Sequence, residues 1–305
     1  MGLLSSLVST YSIVAVDREA KVMGAAVQSH FFSVGSIISW ADAGIGVVAT
    51  QSLVMPEYGP RGLALLELGL GPTEVLAALT AADKAADVRQ VAILSPHESA
   101  VHTGSRCIAE AGHICRPHFS VQANMMMNPG VPEAMAETFE STEGRLESRM
   151  MAALRAAESQ GGDIRGRQSA AVLLVSTEAT PKVREARPLD LRVEDHPEPL
   201  TELQRLLQLH HAYAEANAGD AALAEHSSED ANLHYRRARA AAPHKLELRF
   251  WEAMGRAAAG EIGAAREALK ELDAESPCWR ELAHRLPITG LIRLDPAGWD
   301  ALLSP

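Results

Sequence analysis

Short apolar runs predict strands through the first 190 residues of the chain. Seven stretches combine apolar and β-branched residues over five to eight positions, the pattern of buried and half-buried strands. These stretches are residues 10–16, 21–28, 45–50, 89–94, 99–103, 119–124 and 169–175. Turn-like residues at 17–20 and 95–98 predict that two pairs of these strands form hairpins.

Two longer blocks have the three- and four-residue apolar spacing of helices. The first covers residues 60–82, and Gly69 and Gly71 near its middle predict a break into two pieces. The second covers residues 133–159. Hairpins combined with only two helical blocks favour antiparallel sheets covered by helices, an α+β arrangement, over a regular βαβ winding.

The last third of the chain has a helical pattern throughout. Pro243 and Pro277 lie 34 residues apart, and small residues recur twelve positions before each, at Ala231 and Ala265. Thirty-four residues is the tetratricopeptide period, so we expect about two degenerate helix pairs over 200–285. The alternative is an ordinary helical bundle in which this spacing is a coincidence.

The segment between these halves is rich in proline and acidic residues. Asp195, Pro197 and Pro199 fall within five positions, which predicts a linker. The sequence therefore predicts two domains, residues 10–195 and residues 197–305.

Composition narrows the classes of function. Of 305 residues 47% are hydrophobic and 22% are charged, which excludes a disordered chain. The formal charge of −11 argues against nucleic acid or an anionic membrane as the main partner. The chain lacks a run of about 18 apolar residues, and its N-terminus lacks the basic and apolar regions of a signal peptide. We therefore expect a cytoplasmic protein that does not span a membrane.

The cysteines and nearby histidines do not indicate a metal site. Three cysteines cannot form a fully paired disulfide framework. Cys107, His113, Cys115 and His118 lack the close cysteine spacing of a zinc knuckle. We expect neither a metal nor another cofactor.

Polar residues gather at the ends of several predicted strands, where they usually face a cleft or water. A glycine-rich turn before the last strand adds charged residues to this set. The candidate residues are Gln28, Ser29, His30, Gln51, Ser52, Gln122, Asn124, Asp163, Arg165 and Arg167.

The same segments resemble a known family. The blocks TYSIVA, AAVQSHFFSVGS, GVVATQS, YGPRGL, GGDIRGRQSAAVLLV and LDLRVEDHPEPL are similar to the domain of unknown function 1028 family over about residues 10–210. That family is grouped by fold with the N-terminal-nucleophile hydrolases, and its members often carry a helical C-terminal extension. The resemblance implies a four-layer αββα sandwich followed by an all-α domain.

The resemblance also implies a mechanism. In that superfamily a Thr, Ser or Cys at the start of the first strand becomes the chain terminus, its hydroxyl or thiol attacks an amide carbonyl, and its α-amine, with a pKa of about 8, acts as base. Thr10 holds that position here. Family members typically begin Met-Thr-Phe-Ser, whereas nine residues precede Thr10 in this chain.

Three explanations of this departure remain open. The Ser9–Thr10 bond is cleaved, or the true start lies nearer Thr10, or the nucleophile is never freed. With residues 1–9 attached, we expect a preserved pocket and a Thr10 that is not activated; an active enzyme would require Thr10 at a strand edge that is open to a cleft.

The remaining candidates take their roles from position. Ser29 and His30 should lie near Thr10, and Gln51, Ser52 and Asn124 could donate to an oxyanion. Substrate would contact Gln28, Gln122 and Asp163, with Arg165 or Arg167 holding a carboxylate. Each residue also has a structural alternative: Thr10 and His30 as ordinary strand-end residues, Gln122 and Asn124 as satisfied buried amides, and Asp163 with Arg165 as an ion pair.

The leading hypothesis is a hydrolase of a small amide or peptide-like bond. The rival hypothesis is a binding or assembly protein on the same scaffold, with the helical tail as its contact surface for a protein partner. We also expect a homo-oligomer.

Overall fold

The structure is a computed structural model, and it describes residues 7–304. The chain divides into two compact units, Met1–Gln204 and Arg205–Pro305. This boundary lies inside a long helix, several residues beyond the proline-rich segment that the sequence marked as the junction.

Eleven strands within residues 7–304 form two sheets in the first unit, and every strand pair is antiparallel. The strands are β1 (Leu7–Val8), β2 (Thr10–Asp17), β3 (Val22–Ser29), β4 (Ser39–Asp42), β5 (Gly46–Leu53), β6 (Arg89–Leu94), β7 (Ser99–Thr103), β8 (Gly112–Arg116), β9 (Phe119–Asn124), β10 (Ser169–Ser176) and β11 (Leu189–Val193). The first sheet has the order β1-β5-β6-β7, with β4 also on β5, and the second has the order β11-β10-β3-β2-β9-β8. The prediction of antiparallel sheets is confirmed.

Helices cover the outer faces of both sheets. They are α1 (Tyr58–Glu67), α2 (Pro72–Ala82), α3 (Val131–Ser141), α4 (Leu146–Ser159) and the short α5 (Val183–Ala186). Helices α1 and α2 pack on the first sheet, and α3 and α4 pack on the second. The inner faces of the sheets meet, with β2 and β3 against β5, and enclose a core of aliphatic side chains such as Val14, Val27, Val47 and Leu173.

All seven predicted strands are present, but β1, β4, β8 and β11 were not predicted. These four are short, and the last three carry few fully buried side chains, so their pattern differs little from that of a loop. The block at 133–159 is two helices, because α3 ends before Thr142, which has an extended conformation, and Gly144 with φ +104° lies in the turn before α4. The break predicted near Gly69 separates α1 from α2.

The remaining helices form the C-terminal helical region. They are α6 (Pro199–Ala224), α7 (Ser228–Ala241), α8 (Leu246–Ala258), α9 (Ile262–Glu275), α10 (Cys278–Arg285) and α11 (Pro296–Leu303). Helix α9 begins and ends 34 residues after α7, the spacing that the sequence indicated. Ala231 and Ala265 are both completely buried in the core of the helical unit. Among the described residues, no helix is both long enough and apolar enough to cross a bilayer.

The proline-rich segment before α6 is tied to the first unit. Asp195 accepts a hydrogen bond from Gln168 Nε2 (3.1 Å), and the His196 N–H donates to the Gln168 carbonyl (2.8 Å). Arg167 pairs with Glu198 at 2.7 Å. These bonds fix the segment that the sequence analysis treated as a linker.

Candidate functional site

Buried polar side chains form one connected cluster at the start of β2. Eight residues belong to it, and each has an exposed fraction of zero: Ser9, Thr10, Ser12, Ser29, Gln51, Gln90, Gln122 and Asn124. Polar groups buried in this way are stable only when they satisfy one another. We call these eight residues the polar cluster.

Thr10 is the first residue of β2 and lies opposite Asn124 of β9. Because side chains alternate along a strand, Thr10 shares the face of Ser12, which donates to Gln51 of the other sheet at 2.6 Å. The Thr10 carbonyl accepts hydrogen bonds from Gln51 Nε2 (3.2 Å) and Asn124 Nδ2 (3.3 Å). Two predicted site residues from different strands therefore fix the Thr10 backbone.

Gln90 joins these amides across the sheets, and sequence reasoning missed it. Its Oε1 accepts from Gln51 Nε2 (2.7 Å) and from Asn124 Nδ2 (2.9 Å), and its Nε2 donates to the carbonyl of Ala123 (2.9 Å). The available signal was a glutamine inside the apolar run of residues 89–94. Such a residue at a fully buried strand position needs polar partners.

The carbonyl of Ser9, immediately before Thr10, is held by two donors. One is the hydroxyl of Ser29, and the other is Arg165 Nη2 at 3.4 Å. Asp163 fixes the Arg165 guanidinium through two bonds, at 2.9 and 3.2 Å. The ion pair that was considered as a structural alternative is therefore present, and its arginine also reaches the Ser9–Thr10 peptide group.

The three remaining candidates near Thr10 differ in their positions. The His30 side chain is exposed, and its backbone N–H donates to Asp163 Oδ2 at 3.1 Å. Ser52 has φ +72°, and its side chain is completely buried beside the Cys107 thiol. Gln122 donates to Ser12 Oγ at 2.6 Å, which keeps it inside the polar cluster.

Gln28 and Arg167 lie on the opposite face of the second sheet from Thr10. Glu158 Oε2 accepts from the Tyr11 hydroxyl (2.5 Å) and from Gln28 Nε2 (2.6 Å), and Arg167 lies 3.7 Å from its other oxygen. Burial, together with the neighbouring Glu158 carboxylate, raises the pKa of Tyr11 well above its usual range. Tyr11 therefore stays protonated as a donor to Glu158. Glu158, Gln28 and Arg167 help to line a cavity of about 310 Å³.

Thr10 itself is completely buried and is not open to a cleft in this structure. From Thr10 the chain continues backwards through Ser9 into β1, which pairs with β5. The Thr10 nitrogen is then part of a peptide bond and has no basic lone pair. The chemistry that the geometry favours here is polarisation of the Ser9 carbonyl by Ser29 and Arg165.

The described residues offer no set of ligands for a metal. Within 7–304, no three side chains of His, Cys, Asp or Glu are grouped as a metal site would require. His113 bonds instead to Thr103 Oγ1 at 2.8 Å, and burial lowers its imidazole pKa. Burial raises the pKa of the Cys107 thiol.

Comparison with known proteins gives a family and a solved structure. The model of a family of unknown function, DUF1028, matches residues 10–203. The crystal structure of protein SPO2555 from Silicibacter pomeroyi, described with the same family model, is 30% identical to this chain, with a TM-score of 0.59. The likeness covers 67% of this chain and 85% of that one. No curated protein matches the chain.

Proposed function

The chain belongs to the DUF1028 family, a family of unknown function, and on that premise we propose that it hydrolyses a small amide or peptide-like C–N bond with Thr10 as nucleophile. The layering supports the proposal. Helices α1 and α2, the two antiparallel sheets, and helices α3 and α4 follow one another as in the four-layer αββα sandwich of N-terminal-nucleophile hydrolases. Thr10 opens a central strand of this arrangement.

The observation that carries the proposal is the set of donors around the Ser9–Thr10 peptide group. Ser29 and Arg165 both donate to the carbonyl that lies next to the threonine. Fixed donors at a carbonyl oxygen stabilise the negative charge that develops there when a nucleophile adds to the carbon.

The proposed reaction needs a free Thr10 amine. Thr10 Oγ1 adds to the substrate carbonyl carbon, and its proton passes through the α-amine to the leaving nitrogen as the C–N bond breaks. Water then cleaves the resulting ester, which returns the hydroxyl and releases an acid. Asn124 Oδ1 is a buried acceptor without a hydrogen-bond partner among the described residues, and in this proposal it orients the amine.

The test compares the full-length chain with a chain that starts at Thr10 after removal of an initiator Met. Intact mass first establishes which N-terminus each form carries. We expect the shortened form to hydrolyse small amides, Thr10→Ser to retain part of the rate, and Thr10→Ala to abolish it. Equal turnover by Thr10→Ala would remove Thr10 from the mechanism.

A second candidate is a binding or assembly role for the helical unit, and one observation favours it. Helices α7 and α9 repeat at the tetratricopeptide period, and repeats of that kind build partner grooves. A cavity of about 580 Å³ beside α7 and α8 is lined by Arg236, Arg239 and Glu252.

Solution measurements separate this candidate from the hydrolase. For a binding protein, the shortened chain would show no turnover. Light scattering would report a second copy of the chain as the partner, with Arg239→Ala weakening self-association. The neighbouring exposed Arg237→Ala is the control.

A further inference from the structure

The residues before Thr10 form an extended segment along one strand. In β1, Val8 lies opposite Ser52 and Leu7 lies opposite Leu53 of β5, in an antiparallel pair. Thr10 is paired instead with Asn124 in the second sheet. The chain therefore passes from one sheet to the other within Ser9, and its backbone on the N-terminal side of the Ser9 carbonyl is held as an added strand.

Ser9 fits its position closely. It is completely buried, and its hydroxyl donates to the carbonyl of Asn124 (3.0 Å) and lies 3.4 Å from that of Met125. Its own carbonyl accepts from Ser29 and Arg165. The enclosure leaves room for a small side chain, and two backbone carbonyls lie within reach of its hydroxyl group as acceptors.

Arg165 is fixed before any ligand arrives. Asp163 is only 2% exposed and accepts from the Arg165 backbone N–H (3.0 Å) as well as from its guanidinium. The His30 N–H holds the same carboxylate at 3.1 Å. A positive charge that is oriented in this way binds a carbonyl oxygen, and it binds a carboxylate more strongly.

We infer that the site beside Thr10 takes the acyl side of an extended peptide. The peptide backbone pairs with β5 as Leu7–Val8 does, a serine or similarly small residue occupies the place of Ser9, and the terminal acyl group lies on Ser29 and Arg165. The chain's own residues before Thr10 are the first occupant, so the uncleaved protein excludes other peptides. The inference rests on the proposed function for its chemistry, but binding does not require Thr10 to react.

The test measures binding of the tripeptide acetyl-Leu-Val-Ser, which ends in a free carboxylate, by isothermal titration calorimetry. All forms carry Thr10→Ala, so that no turnover interferes. The full-length chain should not bind, because its own segment fills the site. The chain that starts at residue 10 should bind, and so should the full-length chain with Val8→Pro, because proline removes a backbone N–H donor from β1. Circular dichroism establishes that each form is folded.

The control for Arg165 is another arginine with the same local pattern. Arg192 pairs with Asp190 two residues before it, through bonds at 3.1 and 3.3 Å, as Arg165 pairs with Asp163. Arg165→Ala should weaken peptide binding at least tenfold, whereas Arg192→Ala should leave it within twofold. A peptide with leucine in place of the final serine should not bind.

Two results would overturn the inference. In the first, neither released form, that is, neither the chain that starts at residue 10 nor the Val8→Pro chain, binds the peptide. In the second, the Arg165 and Arg192 variants lose peptide affinity equally. A different result would separate the two proposals. If a released form binds the peptide, but the same form with Thr10 intact hydrolyses no amide, the proposed function is contradicted and the peptide site stands. Amide turnover without peptide binding would contradict the peptide site and leave the proposed function standing.

Discussion

At the scale of single residues, the polar cluster depends on three amide side chains that bond to one another. Gln51 and Asn124 both donate to Gln90 Oε1, and both also donate to the carbonyl of Thr10. Each amide has donors and an acceptor in a fixed geometry, so the loss of one member leaves groups on the others unpaired. The cluster therefore fixes the position of Thr10 and also contributes to stability.

The residue that tests this connection best is Gln90. Gln90→Leu keeps the approximate volume but removes the acceptor of two buried donors, and we expect a loss of about 1–3 kcal/mol in the free energy of unfolding. Urea denaturation measures it. Gln208→Leu on the exposed face of α6 is the control, with an expected change within about 0.5 kcal/mol. A Gln90 variant as stable as the wild type would mean that the cluster is not coupled through this amide.

Sequence reasoning found part of the site because polar residues at strand ends are visible in the sequence. Ser29, Gln51 and Asn124 were recognised in this way. Gln90 was not, because its partners are Gln51 on a neighbouring strand and Asn124 in the other sheet, and sequence spacing carries no information on those contacts. The Ser9 carbonyl gave no signal either, since every residue has a carbonyl and only the fold determines what approaches it.

At the scale of elements, apolar periodicity identified the strands and helices that bury a continuous face. It did not reveal that β2 lies between β3 and β9, or that β10 joins the other side of β3. Those neighbours follow from long-range packing, which local patterns do not encode. The 34-residue spacing did carry over into structure, because Ala231 and Ala265 occupy equivalent positions on α7 and α9.

Close packing in the helical unit explains why small residues recur there. The ring of Tyr235 lies between two glycines: a Cβ added at Gly219 or at Gly255 would come within 2.6 Å of a ring carbon. Ala265 is buried in the same core. Larger side chains at such positions would force neighbouring side chains out of their rotamers.

Ala265→Leu should therefore destabilise the protein by about 1–3 kcal/mol through overpacking. Its matched control is Ala264→Leu, one residue earlier on the exposed face of the same helix, for which we expect little change. Thermal melting of the two variants measures the difference. Equal melting temperatures would show that the period in the sequence does not reflect a tight helix contact.

At the scale of the whole molecule, each compact unit has its own hydrophobic core. The first contains the aliphatic residues between and outside the sheets, and the second contains the side chains of α7 to α11. Separate cores of this kind often unfold as separate cooperative units. The tryptophans allow the two to be followed individually, because Trp40 belongs to the first unit and the other three, at 251, 279 and 299, belong to the second.

We therefore expect two unfolding transitions. In a Trp40→Phe background, tryptophan fluorescence reports the helical unit alone, whereas far-UV circular dichroism reports the entire chain. Gln90→Leu should lower the midpoint of one circular dichroism transition and leave the fluorescence midpoint unchanged. Ala265→Leu should lower the fluorescence midpoint, because its contacts lie in the second core. If both substitutions shifted both signals equally, the chain would unfold as a single cooperative unit, and stability lost in the helical region would then be lost at Thr10 as well.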